Sequence, residues 1–162
     1  MKSILFHSRS KSDIGRLLSN FYLCPIKHHD VTFSSVENAF QASKFLMSNK
    51  QEYFTHLCDV SPAEARKMGS KSGMNKVGAK LDISAWEKSK NILMESLIIQ
   101  RFHSDSAFNM ELSKLIKNNV HLYHFERSGA KSYWGGFFCK KDNVFKGQNR
   151  LGEILMKVHL HT

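Results

Sequence analysis

The sequence predicts a mostly helical α+β domain with a small β-sheet. Its 162 residues match one ordinary domain with enough chain to bury a core. Helical periodicity fills most of the chain, while short β-branched and aromatic runs sit near its start and again around 121–125. There is no internal repeat and no Pro/Gly/Ser-rich linker, so one domain spanning 1–162 is expected.

Ser3 to His7 reads as a strand. Asn20 to Cys24 reads as a short extended run stopped by Pro25, and Val31-Thr32-Phe33 as a second strand. Helical spacing then begins at Ser34-Ser35-Val36-Glu37, with Val36, Phe40, Ser43 and Met47 recurring beside Ala39 and Phe45. A break near Ser48-Asn49 precedes a shorter helix around Gln51 to Leu57. Ser61-Pro62-Ala63-Glu64 is a helix start, with Ser as N-cap, Pro first and Glu third, and the helix should end at Gly69. Residues 70–80 hold Gly73, Gly78 and three Lys and read as a mobile basic loop.

A long helix is expected from about Ser84 to Phe102, with Trp86, Ile92, Leu93, Leu97 and Ile98 inward. Another runs from about Ala107 to Lys117 and buries Phe108, Leu112, Leu115 and Ile116. His121 to Phe125 resembles a strand, and Arg127 to Gly147 is loop-rich around Tyr133-Trp134-Gly135-Gly136. The last helix starts near Asn149 and buries Leu151, Ile154, Leu155 and Val158.

Composition narrows the function classes. No apolar run approaches the roughly 20 residues that span a bilayer, and Ile4-Leu5-Phe6 is too short for a signal peptide. A soluble, cytoplasmic protein is expected. Lys and Arg total 24 against 14 acids, a net charge of +10, which favours a polyanionic partner or a phosphorylated small molecule; solubility alone is the bland reading. Cys24, Cys58 and Cys139 are far apart and form no CxxC, so neither a disulfide framework nor a cysteine zinc site is expected. His28 and His29 as strand neighbours would point to opposite faces, and so would His121 and His124, so no metal is expected.

Three segments have the residue types for chemistry. In Ser35 to Lys44, Glu37, Gln41 and Lys44 fall at i, i+4 and i+7 and form one polar stripe beside the apolar face. Its ends lie about 10 Å apart along the axis, so a carboxylate and an amine can reach one substrate. The bland alternative makes Ser34-x-x-Glu37 a capping box and Lys44 a solvated lysine. In Tyr133 to Gly136, paired glycines allow backbone approach and Trp134 offers a stacking face, unless that Trp simply packs at a turn. In Gly147 to Gly152, a helix start with Arg150 suits an anion, and the plain alternative is an ordinary Asn149 N-cap. The glycine spacing fits neither a P-loop nor a dinucleotide fingerprint.

Read in order, the segments become specific. Gly15-x-x-Leu18-Ser19-Asn20-Phe21 is followed by Glu37-x-x-Phe40-Gln41-Ala42-x-Lys44-Phe45, then by Ser61-Pro62 with Ala65 and Gly69. Trp86-x-x-Ser89-Lys90 with Met94 comes next, then Glu126, Trp134-Gly135, and Gly147-x-Asn149-Arg150-Leu151-Gly152 with Leu155-Met156. From about residue 15 to 158 the chain resembles the NADAR superfamily of YbiA-like proteins. That resemblance implies the YbiA-like fold and cleavage of a bond between a ribose-type C1 and nitrogen, with no cofactor. It gives Glu37 and Lys44 as catalytic, and Asn20, Phe21, Gln41, Trp86, Glu126, Trp134, Gly135, Asn149 and Arg150 as substrate-binding.

The implied leading activity is removal of ADP-ribose from guanine in ADP-ribosylated DNA, reversing a toxic modification. One alternative is the same chemistry on small phosphorylated riboflavin-pathway intermediates or nucleotides. The other is a non-catalytic module binding ADP-ribose or DNA. No membrane and no obligatory protein partner are expected. Lys71, Lys76, Lys140, Lys141 and Lys146 are candidate nucleic-acid contacts, with solvated charge clusters as their bland reading. Many relatives carry an acid three positions before the Trp-Gly pair, where this chain has Lys131; Glu126 or Asp142 would have to substitute.

Overall fold

The structure is a computed structural model that describes residues 2–161. Met1 and Thr162, the ends of the expected domain, lie outside the described residues. The class is the expected α+β. The described strands form three separate two-stranded ladders rather than one sheet. The backbone divides into two compact units, one of Met1–Ser19 and Phe102–Thr162, the other of Asn20–Arg101.

In the first unit, β1 (Ser3–Phe6) pairs in parallel with β4 (His121–His124), Ser3 opposite His121 and Phe6 opposite His124. Phe6 and Leu122 are fully buried, and the Phe6 ring stacks on His124 at 5.1 Å. The short helix α1 (Asp13–Leu17), capped by Ser12, was not anticipated: five residues are too few for a periodic signal. A β5–β6 hairpin (Phe137–Cys139 with Val144–Lys146) also replaces part of the expected loop after Arg127. Its strands are three residues each, so alternation has no length in which to show. Helix α6 (Ser106–Lys117) is capped by Asp105 and buries Phe108 and Leu112, and α7 (Arg150–Lys157) closes the unit.

In the second unit, residues 20–24 form no strand; β2 (Ile26–His28) begins after Pro25 instead. Pro25 stands just before the strand, where its missing N–H takes nothing from the ladder. His29 and Asp30 both take positive φ, 46° and 59°, and turn the chain tightly into β3 (Val31–Phe33). That turn overrides strand alternation, so the His28 and His29 rings lie 4.4 Å apart instead of facing opposite ways. Among the described residues no three His, Cys, Asp or Glu side chains converge as a metal site requires.

Helix α2 (Val36–Leu46) follows, then a 3-10 helix at Gln51–Leu57 where a short helix was expected. Helix α3 (Pro62–Met68) starts on the Ser61 cap and ends at Gly69, as its sequence predicts. The expected mobile loop is instead largely a helix, α4 (Lys71–Lys76). Ser70 accepts the Gly73 amide as N-cap, and Met74 turns inward to anchor the turn. Helix α5 (Ile83–Ser104) carries the chain past the unit boundary. Trp86, Met94, Leu97 and Ile98 are buried on it, whereas Ile92 is 72% exposed, contrary to expectation. Ile92 stands two residues from Met94, about 200° around a helix, on the solvent side.

Asn38 is the polar anchor of α2. It is fully buried and donates to the carbonyls of Leu57 and Val60 at 2.8 and 2.7 Å, while accepting from Ser35. Asn38→Ala removes the donor from both carbonyls and leaves Val60 with the long 3.4 Å bond from Ser34. It is expected to cost about 2–3 kcal/mol, read as a lower urea midpoint with an unchanged slope.

Candidate functional site

The structure changes the reading of Glu37 first. The helix cap is Ser35, whose side chain accepts the Asn38 amide. Glu37 is therefore the second helical residue, one place short of a capping-box position, and the bland reading of its carboxylate falls. Its side chain accepts from Gln41 Nε2 at 2.9 Å, and its backbone amide donates to the Asn20 carbonyl at 3.0 Å. Both Glu37 and Gln41 are 7% exposed. The expected stripe is thus a real one, and it faces inward.

Lys44 lies further along the stripe. Its Nζ donates to the Gly69 carbonyl at 2.8 Å and sits 5.4 Å from the centre of the Trp86 ring. Phe40 packs on the same ring at 5.0 Å. Burial pushes the Lys44 ammonium down to about 8 from its ordinary value of 10.5. The Glu37 charge opposes that shift, and Arg66 and Lys90 add to it. A lysine near 8 is neutral in about one molecule in ten at pH 7, against about one in a few thousand for an ordinary lysine.

Asn20 and Phe21 complete this group. Asn20 Nδ2 points at the Met94 sulfur at 3.3 Å, and the Arg66 guanidinium lies 6.0 Å from the Phe21 ring centre. Six expected residues, Asn20, Phe21, Glu37, Gln41, Lys44 and Trp86, thus come together in the second unit. The sequence marks Gly69 as a helix end and as part of the family motif, and Arg66 as one of a basic stretch that reads either as a phosphate-tracking rim or as a solvated cluster. The spacing of Trp86-x-x-Ser89-Lys90 sets Trp86 and Lys90 on one helix face.

The remaining expected substrate-binding residues belong to the first unit, where the structure gives most of them local tasks. Asn149 does not cap α7 with its side chain; its backbone is left-handed, φ 53°. The amide instead donates to the Leu122 carbonyl and accepts from the His124 amide, each at 2.9 Å, tying α7 to β4. The expected anion cradle is also occupied, because the Arg150 and Leu151 amides donate to the Tyr133 and Trp134 carbonyls at 3.2 and 3.1 Å. Arg150 pairs with Glu153 at 2.9 Å. Gly135 is required by close approach: a Cβ there would lie 2.4 Å from the His124 carbonyl oxygen. Trp134 stands edge-on to Tyr133 at 5.0 Å. Glu126 accepts from Ser132, and Asp142 pairs with Lys146 at 2.6 Å.

Asp142 is therefore committed within its own hairpin and is a poor replacement for an acid at Lys131, which is exposed. Lys71, Lys76, Lys140 and Lys141 are exposed as expected of phosphate contacts, but the Lys146 charge is already balanced. A separate groove of about 430 Å³, lined by Leu23, Cys24, Pro25, Thr32, Phe33, Ser34, Cys58 and Asp59, contains none of the expected residues. No helix among the described residues is long and apolar enough to cross a membrane.

The chain matches the NADAR domain over residues 5–161. It belongs to the NADAR family. It is 28% identical to N-glycosidase YbiA of Escherichia coli (strain K12) over 158 residues, covering 98% of this chain and 88% of the relative. The protein of the same name from Shigella boydii serotype 4 (strain Sb227) matches with the same identity and coverage. The NMR structure of the E. coli protein YbiA superposes with a TM-score of 0.73 at 29% identity, covering 99% of this chain and 86% of that one. The NADAR resemblance and the fold that it implies are both upheld.

Glu37 raises the Lys44 value, so removing its charge must lower it. In Glu37→Gln, the Lys44 titration followed by NMR of the lysine side chain should move below about 8.

Proposed function

We propose that this NADAR protein is an N-glycosidase that releases ADP-ribose from guanine in ADP-ribosylated DNA. The observation that carries the reaction is Lys44: a half-buried amine brought down to about 8, tethered to one carbonyl and lying on an indole, with a carboxylate on the same helix. An amine is a nucleophile only when neutral, and burial supplies that form near physiological pH. Relatives named N-glycosidase support the class of reaction. The net charge of +10 and the exposed Lys71, Lys76, Lys140 and Lys141 favour a polyanionic substrate.

In this reading the neutral Lys44 Nζ attacks the ribosyl C1 while the C1–N bond to the base breaks. The bonding pair leaves with the base nitrogen. Glu37 accepts the proton that Nζ sheds, and the departing nitrogen takes up one proton. The ribosyl ring opens to an imine on Nζ, and water hydrolyses that imine to the free sugar aldehyde and the amine. Before the amine bond forms, the Glu37 carboxylate also stabilises positive charge growing at C1.

A second reading keeps the chemistry but takes a small phosphorylated nucleotide. It is favoured by the pairing of Lys67 with Glu64 and of Lys146 with Asp142, which removes two cations from any extended phosphate track. Salt separates the two: binding of modified DNA should fall steeply between low and moderate salt, and binding of a small ligand much less.

The direct assay uses a DNA oligonucleotide bearing ADP-ribosyl-guanine. Wild type should release ADP-ribose and restore guanine, and borohydride should trap the sugar on Lys44. Lys44→Ala and Glu37→Gln should lose at least about 100-fold in kcat. Lys44→Arg keeps the charge but forms no imine, so full turnover by that variant would end the nucleophile role. The rate should climb with pH and level off above about 8 as Lys44 loses its proton.

A further inference from the structure

Gly69 meets the stripe on α2 at two places, its Lys44 end and its middle residue Gln41. From one side its carbonyl accepts the Lys44 Nζ at 2.8 Å. From the other, the space where a side chain would stand is filled by Gln41: a Cβ on Gly69 would lie 2.3 Å from Gln41 Oε1 and 2.9 Å from Gln41 Cβ. Gln41 in turn donates to Glu37 at 2.9 Å. We propose that Gly69 is a positioning residue for the reaction, its carbonyl aiming the Lys44 amine while its bare α-carbon lets Gln41 hold the Glu37 carboxylate. The proposal rests on the reading of Lys44 as nucleophile.

The local backbone does not ask for glycine. Gly69 ends α3 with φ −80° and ψ 0°, a conformation open to any residue. Its amide hydrogen-bonds to the Ala65 carbonyl at 2.9 Å, as any residue there would do. The three atoms nearest to where a Cβ would stand all belong to Gln41, which is buried, and its Cβ at 2.9 Å cannot swing aside as a side-chain tip could. Buried Gln41 Oε1 has no conventional hydrogen-bond partner. Close approach to the glycine α-carbon leaves it a weak C–H contact at most. That is a costly arrangement for an amide oxygen, and it is retained where the other end of the same amide serves a carboxylate.

The tether also suits the chemistry. A carbonyl accepts from an ammonium, from a neutral amine and from the N–H of a protonated imine alike. Lys44 can therefore pass through each state of the reaction without losing its anchor. With one N–H fixed on Gly69 and the indole of Trp86 to one side, the amine lone pair is confined to the remaining directions. Displacing the α3 end by the few tenths of an ångström to one ångström that a methyl demands should cost on the order of 100-fold in rate. It should also let water reach Nζ and raise its titration toward 10.5.

The test follows Lys44 by NMR pH titration in wild type, Gly69→Ala and Gln41→Ala/Gly69→Ala, with melting temperature, kcat and KM on the ADP-ribosyl-guanine oligonucleotide measured beside it. Gly69→Ala should fold, lose about 100-fold in kcat with KM within about threefold, and titrate above the wild-type value of about 8. In the double variant the amide oxygen and carbon that lie 2.3 and 3.1 Å from the methyl are gone, and the residue 41 Cβ at 2.9 Å remains, which asks for a shift of only a few tenths of an ångström. Its Lys44 titration should return toward 8, while kcat stays low because Glu37 has lost its donor. A Lys44 titration unchanged in Gly69→Ala, or one left high in the double variant, overturns the proposal. So does a kcat loss in Gly69→Ala that only tracks a lower melting temperature. If Gly69→Ala does not fold, the double variant decides: a Lys44 titration held well below 10.5 supports the tether and one at the ordinary 10.5 refutes it. Wild type without turnover, together with the expected titrations, overturns the glycosidase reading and leaves Gly69 as the seat of a reactive lysine.

Discussion

Helix α2 is buried along most of its length and still carries polar side chains, so each must find a partner inside. Val36 through Ser43 are all buried, and Glu37, Asn38, Gln41 and Ser43 are among them. A buried polar group without a partner costs as much as a lost hydrogen bond or more. The neighbouring elements are arranged to meet that demand. The chain after the 3-10 helix offers carbonyls to Asn38. Ser43 donates to the Ala39 carbonyl and lies 2.9 Å from His28 Nε2. The end of α3 offers a carbonyl to Lys44. What remains after those pairings is Gln41 donating to Glu37.

That constraint explains which sequence signals could be read. The stripe of Glu37, Gln41 and Lys44 was visible because helical spacing is local, and the Ser61-Pro62 start of α3 was visible because caps are local too. Whether the stripe faced water or the interior depended on residues far along the chain, and a one-residue difference in cap position decided it. Ser34 and Ser35 both satisfy the cap preference; only the fold chooses Ser35. The α4 helix was hidden for a similar reason. The two glycines and three lysines of residues 70–80 carry a loop signal, and what overrides it over α4 is one Ser cap and one buried Met.

The first unit teaches the opposite lesson about motifs. Asn149, Gly135 and Trp134 all lie in the segments that mark the family, and all have structural work in view. Asn149 mends the edge of β4, Gly135 admits the His124 carbonyl, and the Trp134 carbonyl takes a helix amide. A motif shared by a family therefore mixes residues that build a site with residues that build the frame, and spacing alone does not sort them. Hydrogen-bond accounting shows what each atom already holds: both polar atoms of the Asn149 side chain are bonded to β4 backbone.

The same accounting fixes what Lys44 costs the fold. Its ordinary value is 10.5 and its folded value about 8, so burial disfavours the charged form more than Glu37 favours it. Below about 8 both folded and unfolded chains hold the proton, and the cost of burying the charge is present in full. Between about 8 and 10.5 the unfolded chain still binds a proton that the folded chain has released, so this contribution to stability rises with pH. Above that range neither state is charged and the cost vanishes. At neutral pH the protein thus sustains a destabilising lysine, held by one carbonyl and one indole. The same burial that weakens the fold is what leaves part of the amine neutral near pH 7, and moving Lys44 into water would relieve the first only by abolishing the second.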